Sequence, residues 1–180
     1  MSSPRDSSAL ILGIDPGSLI TGYAIVQASG AGDAALVEAG ALRLKRADDL
    51  AARLHALAAD MDALLGEHEF THMAVESVFS HPAHVQSALQ LSHARGVVLL
   101  AAQNRGLQLI EYAPAEVKKA ISGNGRATKA QVQRAVAMQC GLEAPPTPAD
   151  VADAIAIALT AARRLRAPSS PAPLPCPEAE

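Results

Sequence analysis

Tryptophan is absent from this 180-residue chain, and its aromatic side chains are few: Phe70, Phe79, Tyr23 and Tyr112, 2% of the residues. A core of this size must therefore be aliphatic, and an aromatic falling on a loop stands out. Cysteine is nearly absent too. Cys140 and Cys176 lie far apart, the second in a proline-rich tail, which excludes a disulfide framework or a cysteine metal cluster. Cys140 reads as a small buried thiol. No apolar run approaches the ~20 residues of a membrane span. The opening MSSPRDSS has no basic-then-apolar leader, so a soluble, cytoplasmic protein is expected. Neither sign of charge dominates: the net charge is −3, which does not announce a nucleic-acid partner. The distribution is more telling. From Val117 to Leu142 there are five basic residues (Lys118, Lys119, Arg126, Lys129 and Arg134) and no acid, and binding follows local potential rather than net charge. A basic segment alone most often marks a solvated surface.

What is present is a clear alternation of periods. Residues 10–14 and 22–28 run apolar around Pro16-Gly17-Ser18, and residues 34–44 continue in the same style. Three strands with short glycine-containing connections predict an antiparallel meander. Leu50, Leu54, Leu57, Met61 and Leu64 then recur at three or four residues, predicting an amphipathic helix led by Asp48 and Asp49. A short strand over 71–79 precedes a long helix over 83–106, whose apolar second half is expected to be buried, and 107–113 reads as a fifth strand. Pro114 opens a helix that stops at Gly123. A further helix has Thr128 as N-cap and Gly141 as stop, and a last one runs over 147–166 with Thr147 as N-cap. The order β-β-β-α-β-α-β-α-α-α predicts an α/β domain over residues 1–167 with a mixed sheet, a meander on one side and helical crossovers on the other. Residues 168–180, rich in proline and without periodicity, are expected to be a disordered tail.

Several acids fall at the ends of apolar elements. Asp15 ends the first strand, Glu76 lies near the end of the fourth, and Asp150 and Asp153 sit in the first turns of the last helix. If strands one and four are parallel neighbours, Asp15 and Glu76 emerge at one sheet edge. A three-residue helical step leaves Asp150 and Asp153 about 60° apart on one face. Each has a bland reading: a turn residue before Pro-Gly, an arginine partner, or a favourable helix dipole. Converged, four carboxylates repel strongly unless hard cations sit among them. Such a cluster suits two divalent ions in phosphodiester hydrolysis.

The segments LGIDPGSLITGYAIV, AVESVF followed by SALQLSHARG, EYAPAEVKKAISGNGRATKAQVQ and PADVADAIAIAL together, in order from about residue 10 to about 165, resemble the RuvC family of Holliday-junction resolvases. The resemblance implies a ribonuclease-H-like fold with a five-stranded mixed β-sheet flanked by helices. It also implies a homodimer that cuts two opposing strands of a four-way DNA junction symmetrically, leaving 5′-phosphate and 3′-hydroxyl ends. The family's metal-binding catalytic carboxylates fall on Asp15, Glu76, Asp150 and Asp153, which would hold two Mg²⁺ or Mn²⁺ ions. Its DNA-contacting lysines fall on Lys118 and Lys129, inside the acid-free segment, and its base-stacking aromatic falls on Phe79. Arg126, in the GNGRATK loop, is a further candidate for phosphate contact. Association with the RuvA/RuvB branch-migration complex is implied by the resemblance alone.

Other readings compete. GIDPGSLITG also resembles the phosphate hairpin of actin/hexokinase-type ATPases, which generally repeat the fold in two domains, and 180 residues hold no second hairpin. A related nuclease-like family with the same fold processes RNA, and a non-catalytic junction binder is a third class. Ser18 and Thr21 beside the first acid could hydrogen-bond a phosphate, as turn residues also do without function, and His81 and His84 beside Phe79 could touch DNA, although exposed loop histidines are more common. Glu111, at the end of strand five, is placed where it could approach the site.

Overall fold

The computed structural model describes residues 8–29, 34–77 and 85–166. Phe79, His81, His84 and the expected tail fall outside the described residues. Ten elements follow in the expected order: β1 (Ala9–Asp15), β2 (Ile20–Ala28), β3 (Ala34–Arg43), α1 (Leu50–Glu67), β4 (His72–Glu76), α2 (Val85–Asn104), β5 (Gln108–Tyr112), α3 (Pro114–Ser122), α4 (Lys129–Gln139) and α5 (Ala149–Arg166). The five strands form one mixed sheet in the order β3-β2-β1-β4-β5. β1–β2 and β2–β3 pair antiparallel, whereas β1–β4 and β4–β5 pair parallel. This is the meander-plus-crossover sheet the sequence predicts, a ribonuclease-H-like arrangement with β1 at its centre.

Side chains alternate across a strand, and in β1 the alternation divides the core. Ile11 packs with α3, α4 and α5 on one face, together with Ala24 and Val26 of β2, Val117, Val136, Ile155 and Ile157. Leu12 and Ile14 face the other way, into a cluster of Ile25, Leu57, Met61, Met73, Val75 and Val98. Both faces are covered, so β1 and β4 read as nearly continuous apolar runs rather than alternating ones.

Helix α5 lies closest to the sheet. Its buried face is largely alanine, and Gly13 lies beneath it: a Cβ there would fall 2.5 Å from the Ala154 carbonyl oxygen and 2.7 Å from the Ala158 Cβ. Small residues on both sides let helix and sheet approach, which is how the core closes with so few aromatics. Cys140 packs at the edge of this cluster as a half-buried thiol, and burial raises its pKa.

Local signals explain most boundaries. Asp49 caps α1, its carboxylate accepting from the Ala52 amide at 2.7 Å. Thr128 caps α4 and forms a capping box with Gln131. Three expectations need adjustment. β4 stops at Glu76, with Ser77 already outside it, although the Ser77 amide still donates to the Tyr112 carbonyl at 2.8 Å, the bond expected one residue past the parallel pair Glu76–Tyr112. Residues 78 and 79 of the expected strand lie outside the described residues. Thr147 is not the cap of α5. That helix begins at Ala149, and the Pro148 carbonyl takes the Val151 amide at 3.1 Å. Helix α2 buries only the stripe Ala94, Val98 and Ala102 from its second half, leaving Leu89 51% and Leu100 60% exposed. Its apolar run is longer than one sheet face can cover. Among the described residues, no helix is long and apolar enough to cross a membrane.

Candidate active site

The alternation that divides the core also aims the acids. Asp15 shares strand parity with Ile11 and Gly13, and Glu76 with Ala74, so both carboxylates face the α5 layer. The last parallel register pair is Ile14 with Val75, which makes Asp15 and Glu76 adjacent tips at one edge of the sheet. On its other side Asp15 is paired with Gly22 of β2. The missing side chain at Gly22 admits the start of α5, since a Cβ would sit 2.0 Å from the Asp150 carbonyl oxygen. Asp150 is thereby set in the first turn of α5 directly over the sheet, with Asp153 one turn further on.

The electrostatics show the result. Burial first, then the negative charges of Asp153, Glu76 and Asp150, push the Asp15 carboxyl up to about 7, with Lys129 opposing. Glu76 is also raised, by burial and then by Asp153, while Lys118 and Lys129 lower it. The Lys129 ammonium is raised chiefly by its hydrogen bond to Asp153. Six residues from five elements, β1, β4, α3, α4 and α5, thus share one field. No hydrogen bond reaches the Asp15 carboxylate from the described residues. The turn after β1 is closed instead by buried Thr21, whose hydroxyl accepts from the Gly17 amide at 3.3 Å. Asp15 therefore does not act as the turn's capping residue.

The lysines come from the helical pair α3–α4. Glu116 fixes the start of α3, accepting from the Ala113 amide at 2.9 Å and from Arg164 at 2.7 Å. Arg164 in turn lies 5.1 Å from the centre of the Tyr112 ring. Lys118 follows within the first turns, and Lys129 opens α4 immediately after its cap. Lys129 Nζ reaches Asp153 Oδ2 at 2.7 Å. A cavity of about 190 Å³ is lined by Glu76, Lys118, Lys129 and Asp153, with Val117 and Val132 among its apolar walls.

A divalent ion fits this chemistry. The donor set is all carboxylate, which suits hard cations, and desolvation followed by the three neighbouring acids raises the Asp15 carboxyl to about 7, with Lys129 only partly opposing them. Among the described residues no three acidic, histidine or cysteine side chains are already drawn together as a cation cradle.

Two candidates are placed elsewhere. Arg126 is exposed on the α3–α4 loop and does not line this cavity. Glu111 has the opposite strand parity to Tyr112 and pairs with Arg95 of α2 on the far face of the sheet, so it does not approach the acids. Residues the sequence did not single out also shape the site. Gly22 and Gly13 admit α5. Ser77 pins the chain just after Glu76, its amide and hydroxyl both donating to the Tyr112 carbonyl. The signal for the glycines was a single glycine inside each of two apolar strands, where a glycine otherwise weakens packing and marks a close backbone approach.

Comparison with known proteins agrees with this fold. The family model described as Crossover junction endodeoxyribonuclease RuvC matches residues 11–161. A crossover junction endodeoxyribonuclease RuvC of Rhodopirellula baltica is 44% identical over 153 residues, covering 85% of each chain. That of Heliobacterium modesticaldum is 44% identical over 156 residues, 87% of this chain and 95% of the relative. Among solved structures, T. thermophilus RuvC in complex with a Holliday junction substrate superposes with a TM-score of 0.80 at 32% identity, covering 88% of this chain and 95% of that one. The yeast mitochondrial Holliday junction resolvase Ydc2, at 14% identity and a TM-score of 0.63, shares the fold. With its carboxylates, lysines and sheet in this order, the chain belongs to the RuvC family of crossover junction endodeoxyribonucleases.

Proposed function

We propose that this chain resolves four-way DNA junctions by paired, symmetric nicks, each leaving a 5′-phosphate and a 3′-hydroxyl. The observation that carries the reading is the Asp15 carboxyl, partly buried at the sheet edge beside Glu76 and the first turns of α5, and raised to about 7 by desolvation and then by three other acids. Asp15, Glu76, Asp150 and Asp153 would hold two Mg²⁺ or Mn²⁺ ions. When bound, such ions lower the pKa of the attacking water and neutralise the leaving oxygen. The chain's own groups do the rest. Asp15 gives up its proton on loading and anchors the cluster from the central strand of the sheet. Lys129 leaves Asp153 and, with Lys118, holds the phosphate flanking the cut, contributing charge without sequence reading.

Further parts of the reading rest on family membership. Phe79 stacks on opened bases at the branch point, and Arg126 holds phosphate outside the cavity. The chain works as a homodimer, whose two-fold axis matches that of the substrate; exposed Leu89 and Leu100 make α2 the candidate contact. It acts in the cytoplasm beside a RuvA/RuvB branch-migration complex. The test is incubation with a synthetic mobile four-way junction in Mg²⁺ or Mn²⁺. Paired nicks that vanish in Asp15→Asn while binding persists support the reading. Binding without nicks in either metal overturns it in favour of an inert junction-binding module, and preference for linear RNA overturns the substrate.

A further inference from the structure

The α3–α4 pair has a second face, pointing away from the acids. Between the end of α3 and the outer side of α4 lies a groove of about 350 Å³, with Ser122, Asn124, Gln131 and Arg134 as its polar lining and Ile121 and Met138 among its apolar walls. Gln131, Arg134 and Met138 recur at three and four residues, so they form one helical stripe. Arg134 is five residues beyond Lys129, about 7.5 Å along the axis and about 140° around it. It therefore belongs to a different surface from the catalytic cavity. Met138 is 82% exposed.

The hydrogen bonding gives this groove one polarity. Asn124 Oδ1 accepts from the Arg126 amide at 2.9 Å. Gln131 Oε1 accepts from the Thr128 amide at 2.8 Å and from its hydroxyl at 3.2 Å. The Ser122 hydroxyl donates to the Lys118 carbonyl at 2.7 Å. With their oxygens spent locally, Asn124 and Gln131 offer amide N–H groups outward. Arg134 and Arg126 make no ion pair among the described residues, whereas Lys129 and Arg164 are engaged. No acid occurs between Val117 and Leu142. A lining of donors with the Arg134 guanidinium among them, Arg126 on the adjoining loop and no carboxylate, complements a string of phosphates.

We infer that this groove is a second DNA contact, taking the sugar–phosphate backbone of a junction arm beyond the cut, with Arg134 and Gln131 as its central residues and the Met138 side chain against the sugars. The inference rests on the proposed junction substrate. It assigns affinity, not chemistry, to the outer face of α4.

The test uses Arg134→Ala and Gln131→Glu in the full chain. Gln131→Glu keeps the capping box, because a carboxylate accepts the same Thr128 bonds, while turning an outward donor into a negative charge. Fluorescence anisotropy of a labelled four-way junction is measured over a salt series without divalent ions, and single-turnover cutting is measured at saturating junction. Arg134→Ala should lower the slope of log K against log salt by about one. Gln131→Glu should weaken binding roughly three- to tenfold at low salt. Both should cut at the parental rate when saturated. If both variants bind with the parental slope and affinity, the inference is overturned and the groove is left to a protein partner. A parent that cuts junctions while the variants bind normally sinks only this inference; a parent that neither binds nor cuts them sinks the junction reading as well.

Discussion

Gly22 and Asp150 meet backbone to backbone: a Cβ on Gly22 would lie 2.0 Å from the Asp150 carbonyl oxygen. Because Gly22 is also the cross-strand partner of Asp15, this single absence of a side chain sets the first turn of α5 beside the sheet's central acid. Gly22→Ala must lift the start of α5, and overpacking of this kind costs roughly 1–3 kcal/mol. Urea unfolding should show that loss. Calorimetric titration should show weaker Mn²⁺ binding than in the parent, even where the variant is fully folded. Unchanged metal affinity would mean that α5 is held in place by other contacts.

Asp15 makes the metal-free protein less stable as pH rises. Its carboxyl keeps its proton to about 7 when folded, against 3.8 for the free side chain. Between those values the folded state binds more protons than the unfolded state, so the free energy of unfolding falls as pH climbs through that window and is flat above it. Asp15→Asn removes the buried charge. Without divalent ions it should exceed the parent in stability by roughly 2–4 kcal/mol at alkaline pH, with the gap closing as the pH approaches the free-carboxyl value. Thermal melts across that range decide the sign.

The Lys129–Asp153 pair is 59% and 25% exposed at its two side chains, and a pair so open to water contributes under about 1 kcal/mol to stability. Lys129→Ala should therefore melt close to the parent. Its effect belongs to function: the junction-cutting rate should fall by on the order of a hundredfold, as for loss of one charge-stabilising donor. A large drop in melting temperature with intact cutting would reverse that assignment.

Glu116 holds the start of α3, and its carboxyl sits below the ordinary range because it accepts from the Ala113 amide and pairs with Arg164. The stabilisation is present above the free-carboxyl pKa and is lost as pH falls through the folded value. Glu116→Ala should cost about 1 kcal/mol at neutral pH and nothing in strong acid. Hydrogen exchange should quicken at the first amides of α3 and leave β1 unchanged.

Much of this was legible in the sequence, for reasons that differ by element. The strands β1 and β2, the helix α1 with Asp49 and the helix α4 with Thr128 all announce themselves by period and cap, because local forces set them. The end of β4 at Glu76 was not marked locally, since its last pairing is with Tyr112 of β5, far along the chain; residues 78 and 79 of the expected strand lie outside the described residues. Thr147 looked like a cap because Pro148 follows it, yet the first helical amide is taken by the Pro148 carbonyl itself. Asp15 and Glu76 could be placed at one edge from strand order alone. What no single segment could reveal is the depth at which α5 sits, which depends on Gly13 and Gly22 meeting a face of alanines. The helix α2 shows the converse: its apolar run suggested burial, but the sheet covers only one stripe of it.

The claim beneath the rest is that acids from β1, β4 and α5 act together on divalent ions. Crystals grown in Mn²⁺ and measured at the manganese absorption edge test it without reference to activity. The account predicts anomalous peaks bounded by the carboxylates of Asp15, Glu76, Asp150 and Asp153, with Lys129 withdrawn from Asp153. An Asp15 carboxylate with no peak beside it, in crystals whose manganese is bound elsewhere, would contradict the account.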